Sequence, residues 1–311
     1  MLTSIRGLTA ASLSAGLLFA AAPAFAAEGQ SDNLAVPVAD EAVLDIAISD
    51  DLLAASAILD GVPADGAEPV LTTRIERANA PVDELTSNKM AGESGIELSG
   101  NVALVSDYRF RGVSFSDGDI ALQGGIDLGH SSGIYIGTWG STISGGTAFG
   151  ELELDLYAGW SGDVADGVTF DIGLLYYVYP TERELADALG VDTDYFEPYA
   201  SVSFGLGPAS ATLGVAYAWD QSALGDSDNF YIYTDLEYGI PDTPLTLSAH
   251  LGYTDGVFAT DLGGDSLDWG VGASWAITDS LSLGVNYVDT EGPSIEDFTD
   301  AGFFFTLGYS M

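Results

Sequence analysis

The stretch ELELDLYAGW, residues 151–160, decides the fold. Leu152, Leu154, Leu156, Ala158 and Trp160 alternate with Glu151, Glu153, Asp155, Tyr157 and Gly159. A helix, with its 3.6-residue repeat, would spread the acids round its surface. A strand sends successive side chains to opposite faces and sorts them cleanly. One face then suits hydrocarbon and the other suits water. The pattern recurs in VTFDIGLLYYV, with Val168, Phe170, Ile172, Leu174, Tyr176 and Val178 on one side, and in FYIYTDLEY, with Phe230, Ile232, Thr234, Leu236 and Tyr238.

Working outward, segments of this kind fall at 96–110, 119–129, 133–141, 150–161, 168–179, 195–206, 210–220, 229–239, 244–254, 267–276, 281–289 and 300–311. The joints between them alternate. GHSSG, GDVADG, GLGPAS, IPDTP and ITDS are tight, whereas TERELADALGVDTD, TDGVFATDLGGDS and TEGPSIEDFTD are long and acidic. An even number of alternating strands, with short turns at one end and long loops at the other, predicts an all-β, antiparallel up-and-down transmembrane barrel of about twelve strands. Composition agrees. The formal net charge is −40, yet mean hydropathy is positive. Lipid outside and water inside reconcile the two. Aromatics at the segment ends, among them Tyr108, Phe110, Trp160, Trp219 and Trp275, suit interfacial girdles. The chain has no cysteine, which excludes a disulfide framework and thiolate metal sites.

The first 94 residues differ. Arg6, the apolar run 8–22 and Ala24-Phe25-Ala26 form a secretory signal, with cleavage expected between Ala26 and Ala27. Residues 27–94 hold no Tyr, Trp or Phe and carry Pro37, Pro63, Pro69 and Pro81. That composition predicts an acidic, mostly disordered extension. Residues 40–59 have the spacing of a short amphipathic helix, which could dock on a partner or plug the barrel mouth.

The runs SDYRFRGVSFSDGDIALQGGIDLGHSSGIYIGTWGS, ELELDLYAGWSG, FDIGLLYYVYP and YFEPYASVSFG resemble the TorF family of porins, over roughly 95–311. The resemblance implies an outer-membrane barrel that passes small solutes. The ending AGFFFTLGYSM resembles the strand by which such proteins are recognised for insertion, which implies the barrel-assembly machinery as a partner; Met311 stands where an aromatic is usual.

Alternation places Arg109, Arg111, Glu151, Glu153, Asp155, Asp171, Glu197, Asp235, Glu237, His250 and Asp268 on the inner face as candidate pore-lining residues. Arg109 and Arg111 are expected to share a strand face near the external mouth, with Tyr108 and Phe110 on the other face. Against Glu151 and Glu153 they would either set up a transverse field or neutralise a crowded acidic cluster. Inward Gly and Ser favour an open lumen; Tyr177, Tyr179, Tyr199, Tyr231, Tyr233 and Phe304 favour a filled one.

An enzyme is not expected. His250 has only Ser248 two residues away on its own strand face, and no Gly-x-Ser-x-Gly elbow occurs. DLGGDSLD and DTDYFE lack EF-hand spacing, so no metal or other cofactor is expected. The charge excludes ordinary nucleic-acid binding. The expected function is passive diffusion of small hydrophilic solutes, preferably cations, across the bacterial outer membrane, in contact with its lipid. The alternative is a narrow, side-chain-filled barrel serving as an anchor or interaction protein.

Overall fold

A computed structural model describes residues 95–181 and 192–311. The signal sequence, its Ala26–Ala27 junction, the acidic extension and the 40–59 helix lie outside the described residues, as does Arg183.

The strands are β1 (Ile96–Val105), β2 (Arg109–Phe110), β3 (Val113–Ser114), β4 (Ala121–His130), β5 (Ile134–Gly145), β6 (Gly150–Ala165), β7 (Val168–Val178), β8 (Tyr195–Leu206), β9 (Ala209–Gln221), β10 (Ser227–Gly239), β11 (Leu245–Gly256), β12 (Asp265–Ala276), β13 (Leu281–Thr290) and β14 (Gly302–Ser310). A single helical turn, α1 (Gly146–Phe149), joins β5 to β6. All but β2 and β3 form one closed barrel, each strand antiparallel to its neighbours. β1 pairs with β4 on one side and with β14 on the other, so no edge is left open. In hydrocarbon every backbone N–H and C=O needs a partner within the protein, and closure supplies it.

The alternation seen at 151–160 governs the whole wall. Leu156 is 44% exposed on the outside, while Glu153 and Asp155 on the inside are 0% and 1% exposed. Leu104, Ile126, Leu174, Leu236, Leu251, Val271 and Phe305 are likewise exposed outward. This apolar belt far exceeds what a water-soluble monomer exposes. Outward aromatics mark its borders. Tyr176, Phe196 and Trp219 stack at centroid distances of 4.2 and 6.0 Å near the long-loop end. Trp160, Tyr238, Trp275 and Tyr309 are exposed near the short-turn end.

Tight turns at 131–133, 166–167, 207–208, 240–244 and 277–280 lie at one end of the barrel, together with Gly95 and Met311. The longer connections lie at the other end. The expected first strand, 96–110, is corrected: β1 stops at Val105, and the chain turns into the lumen.

Candidate functional site

Val105 of β1 pairs with Ala121 of β4, so residues 106–120 are an excursion that leaves and rejoins adjacent strands. Its core is a two-residue hairpin in which Arg109 pairs with Ser114 and Phe110 with Val113. Arg111 and Gly112 both have positive φ, 49° and 79°, as a type I′ turn requires. Asp107 knits the base. It accepts hydrogen bonds from Ser114 Oγ (2.5 Å) and Ser116 Oγ (3.2 Å) and pairs with the Nε of Arg109. The backbone N–H of Tyr108 donates to Ser116 Oγ at 2.8 Å.

The tip reaches the far wall. In the barrel order, β8, β9 and β10 lie opposite the β1–β4 pair. Nη2 of Arg111 contacts both carboxylate oxygens of Glu197 on β8, at 2.9 and 3.0 Å. The guanidinium carbon lies 4.1 Å from the ring centroid of Tyr231 on β10, 4.6 Å from that of Phe110 and 5.9 Å from that of Phe258. Hairpin and Arg111 side chain together therefore form a bar from the β1–β4 wall to β8 and β10. On one flank the Tyr108 hydroxyl donates to Glu153 at 2.6 Å, and Tyr108 and Phe110 pack on Trp139 and Tyr177. On the other, Arg109 Nη1 donates to the Asp300 carbonyl at 2.7 Å, and the Ser114 N–H to the Phe298 carbonyl at 2.8 Å. A Cβ on Gly112 would meet Thr290 Cβ at 2.6 Å, so only glycine lets the tip sit this close to β13.

Two expectations are corrected here. Arg109 and Arg111 do not share a strand face; one is in β2 and the other in the turn. Tyr108 and Phe110 belong to no lipid girdle. They are buried inside the barrel with Leu175, Tyr177, Tyr179 and Tyr195.

The inward carboxylates have an unforeseen kind of partner. Glu153 accepts from the hydroxyls of Tyr108 and Tyr179 (3.0 Å), Glu197 from Tyr177 (2.9 Å), Asp171 from Tyr135 (2.9 Å), Asp127 from Tyr157 and Asp268 from Tyr231 (3.1 Å). The Tyr135 and Tyr199 hydroxyls share a 2.5 Å contact. A phenol satisfies a carboxylate's lone pairs without cancelling its charge. Arg109 and Arg111 are the only Arg or Lys among the described residues. The tyrosines also lie flat. A methyl at Gly173 would run into the Tyr199 ring, and one at Gly137 into Tyr157. These two rings rest on inward glycines of the wall, whereas Tyr177, Tyr179 and Tyr195 pack with the hairpin.

Asp155 is fully enclosed near Glu153 and Glu197. His250 spends both ring nitrogens, Nδ1 on Asp235 (2.6 Å) and Nε2 on Asp268 (2.9 Å), with Tyr231 also 2.9 Å from Nε2. It makes no pairing with Ser248. Glu237 faces the short-turn half and is partly exposed. Glu151 is exposed at the rim, apart from the enclosed Glu153; its backbone N–H donates to Thr181 Oγ1 at 2.9 Å. Below the bar, Asn101, Ser203, Ser248 and Thr306 face inward and are partly or fully exposed, forming a polar vestibule. Among the described residues no group of three or more His, Cys, Asp or Glu has the arrangement of a metal site.

Charge on the hairpin is governed by its surroundings. Burial, the largest single influence, lowers the pKa of the Arg111 guanidinium, but Glu197 together with Tyr177, Tyr231 and Tyr195 outweighs it and holds the group above its ordinary value. Burial, then Asp297 and Asp119, raise the Asp117 carboxyl above its usual range.

A family described as "Bacterial protein of unknown function (Gcw_chp)" matches residues 89–309. No curated protein sequence matches the chain. Among solved structures, the NanC porin aligns at 11% identity and TM-score 0.46, over 69% of this chain and 98% of its own. The KdgM porin, solved with disordered oligogalacturonate, aligns at 8% and 0.45, over 68% and 96%. An outer membrane channel from Pseudomonas putida F1 aligns at 15% and 0.42, over 74% and 99%. The likeness is one of barrel architecture and nothing finer.

Proposed function

The chain belongs to the Gcw_chp family of bacterial proteins, its barrel lies in the bacterial outer membrane, and we propose that it is a porin for passive diffusion of small hydrophilic solutes, with cations preferred. One observation carries this reading: a hairpin crosses a lumen whose wall carries many carboxylates and few cations, and whose inner half is lined by small polar residues. Lipid outside and water inside need only a barrel. A shaped constriction over a polar vestibule is what selective diffusion needs in addition. Enclosed negative charge concentrates cations and repels anions. The TorF-like runs support the same reading, since the longest of them, 106–141, covers the hairpin together with β4 and most of β5.

In this reading the mature chain begins at Ala27 and performs no catalysis. Its 27–94 segment extends on the periplasmic side, because Gly95 lies at the short-turn end. β14 presents its outward Phe303, Phe305, Leu307 and Tyr309 to the barrel-assembly machinery. Swelling of proteoliposomes in isosmotic solutes tests the proposal. Small cationic and neutral solutes should enter faster than anions of equal size. Equal rates for both charge signs would overturn the cation preference, and no swelling would overturn the porin.

A further inference from the structure

We propose that the wall cage now holding Arg111 is a recognition site for guanidinium and alkylammonium solutes, and that Arg111 is its tethered occupant. As a step in transport this rests on the porin reading; as binding it does not.

Apart from Phe110 of the hairpin itself, the cage is built from the barrel. Glu197 and Tyr195 belong to β8, Tyr231 to β10, and Phe258 to the connection between β11 and β12. These groups would remain if the tip withdrew. Their chemistry selects a cation that is both charged and polarisable at its face. A carboxylate supplies the charge, and the Tyr231 ring at 4.1 Å supplies the π surface. An anion would meet Glu197, with Glu153 and Asp155 behind it. A neutral sugar could donate hydroxyls to Glu197 beside the Tyr177 hydroxyl, but would bring no charge to balance the buried carboxylate.

The present occupant is imperfectly held. Arg111 is 92% buried, 8% being exposed. Nη2 alone contacts Glu197, while Nε and Nη1 make no hydrogen bond among the described residues. Its backbone is also confined to the left-handed region. A free guanidinium has neither restriction and can rotate to present a two-nitrogen edge to the carboxylate. A solute that takes the cage removes the Arg111–Glu197 contact, the hairpin's hold on β8, while Tyr108 to Glu153, Arg109 to the Asp300 carbonyl and Ser114 to the Phe298 carbonyl still hold the rest of the bar. Entry of a preferred solute and loss of the bar's Arg111 anchor are then one event.

Chemical rescue tests the site without requiring a current. The midpoint of heat-modifiable gel mobility would be measured for the wild type, Arg111→Ala and Arg111→Ala/Glu197→Gln, in low-millimolar methylguanidinium chloride against equal NaCl. Methylguanidinium should raise the Arg111→Ala midpoint by on the order of 2–4 °C, and should leave the wild type and the double variant unmoved. Arg111→Gln serves the same purpose should the alanine variant fail to fold. Sodium acting as well as methylguanidinium, or rescue surviving Glu197→Gln, would overturn the site. A conducting protein without rescue sinks this proposal alone; rescue in a protein that never conducts sinks the porin reading alone.

Discussion

Nη2 of Arg111 lies 2.9 and 3.0 Å from the two carboxylate oxygens of Glu197, although the two residues arise from opposite walls of the barrel. Both side chains are almost fully enclosed. Removing one partner strands a charge, so Arg111→Gln and Glu197→Gln should each cost on the order of 3 kcal/mol. Removing both should cost less than the sum. Urea titration of the reconstituted barrel checks this cycle; strict additivity would mean the pair is not coupled.

Charge on the lipid face should be rejected where charge in the vestibule is accepted. Leu174 points outward mid-strand, and arginine there should destabilise by about 2–4 kcal/mol. Asn101 faces the lumen and is exposed, so Asn101→Arg should be near neutral. Glu153, although inward, should reject arginine, because it is 0% exposed and held by Tyr108 and Tyr179. The midpoints of refolding into bilayers should therefore rank Asn101→Arg above both others.

Glycine and tyrosine should prove to be one unit. Gly173→Ala must push the Tyr199 ring away and break its contact with Tyr135, at a cost of about 1–3 kcal/mol. Gly129 has nothing within 4 Å of an added Cβ, and Gly129→Ala should be silent. Equal effects at the two sites would show that the rings do not rest on the wall.

The hairpin should be held more tightly at acid pH. Asp117 is raised by burial, then by Asp297, Asp119 and Asp107, so the docked hairpin favours its protonated form. That contribution is fully present below the ordinary value of 3.8 and is lost as pH rises through the raised one. Conductance should accordingly be smaller near pH 4 than at neutrality, and Asp117→Asn should flatten the dependence. A slope of opposite sign would count against docking of 106–120 as the controlling contact.

The barrel was legible because strand alternation is local: each segment announces its own two faces, and turn chemistry marks its ends. The inward placement of Asp155, Asp171, Glu197 and His250 followed from parity alone. Parity failed at 106–115, where SDYRFRGVSF alternates as a strand does, yet its apolar residues face inward. Two signals there point to a hairpin. Arg111-Gly112 can form a two-residue turn, and Asp107, Ser114 and Ser116 can close its base. Neither says that the hairpin enters the lumen, because that depends on Glu197 and Tyr231, some ninety and more residues away in sequence. The tyrosine–carboxylate pairs were hidden for the same reason. Tyr108 and Glu153, or Tyr135 and Asp171, meet only once the sheet has closed.

Recording from single molecules in a planar bilayer under a KCl gradient tests the central claim most directly, comparing the intact chain with one in which 107–116 is replaced by a short turn. The account predicts a cation-selective reversal potential that fades as KCl screens the wall, over about 8–10 Å at physiological ionic strength, and a larger unitary conductance in the shortened chain. Absence of current in both proteins, or an anion-selective reversal potential in the intact one, would contradict it.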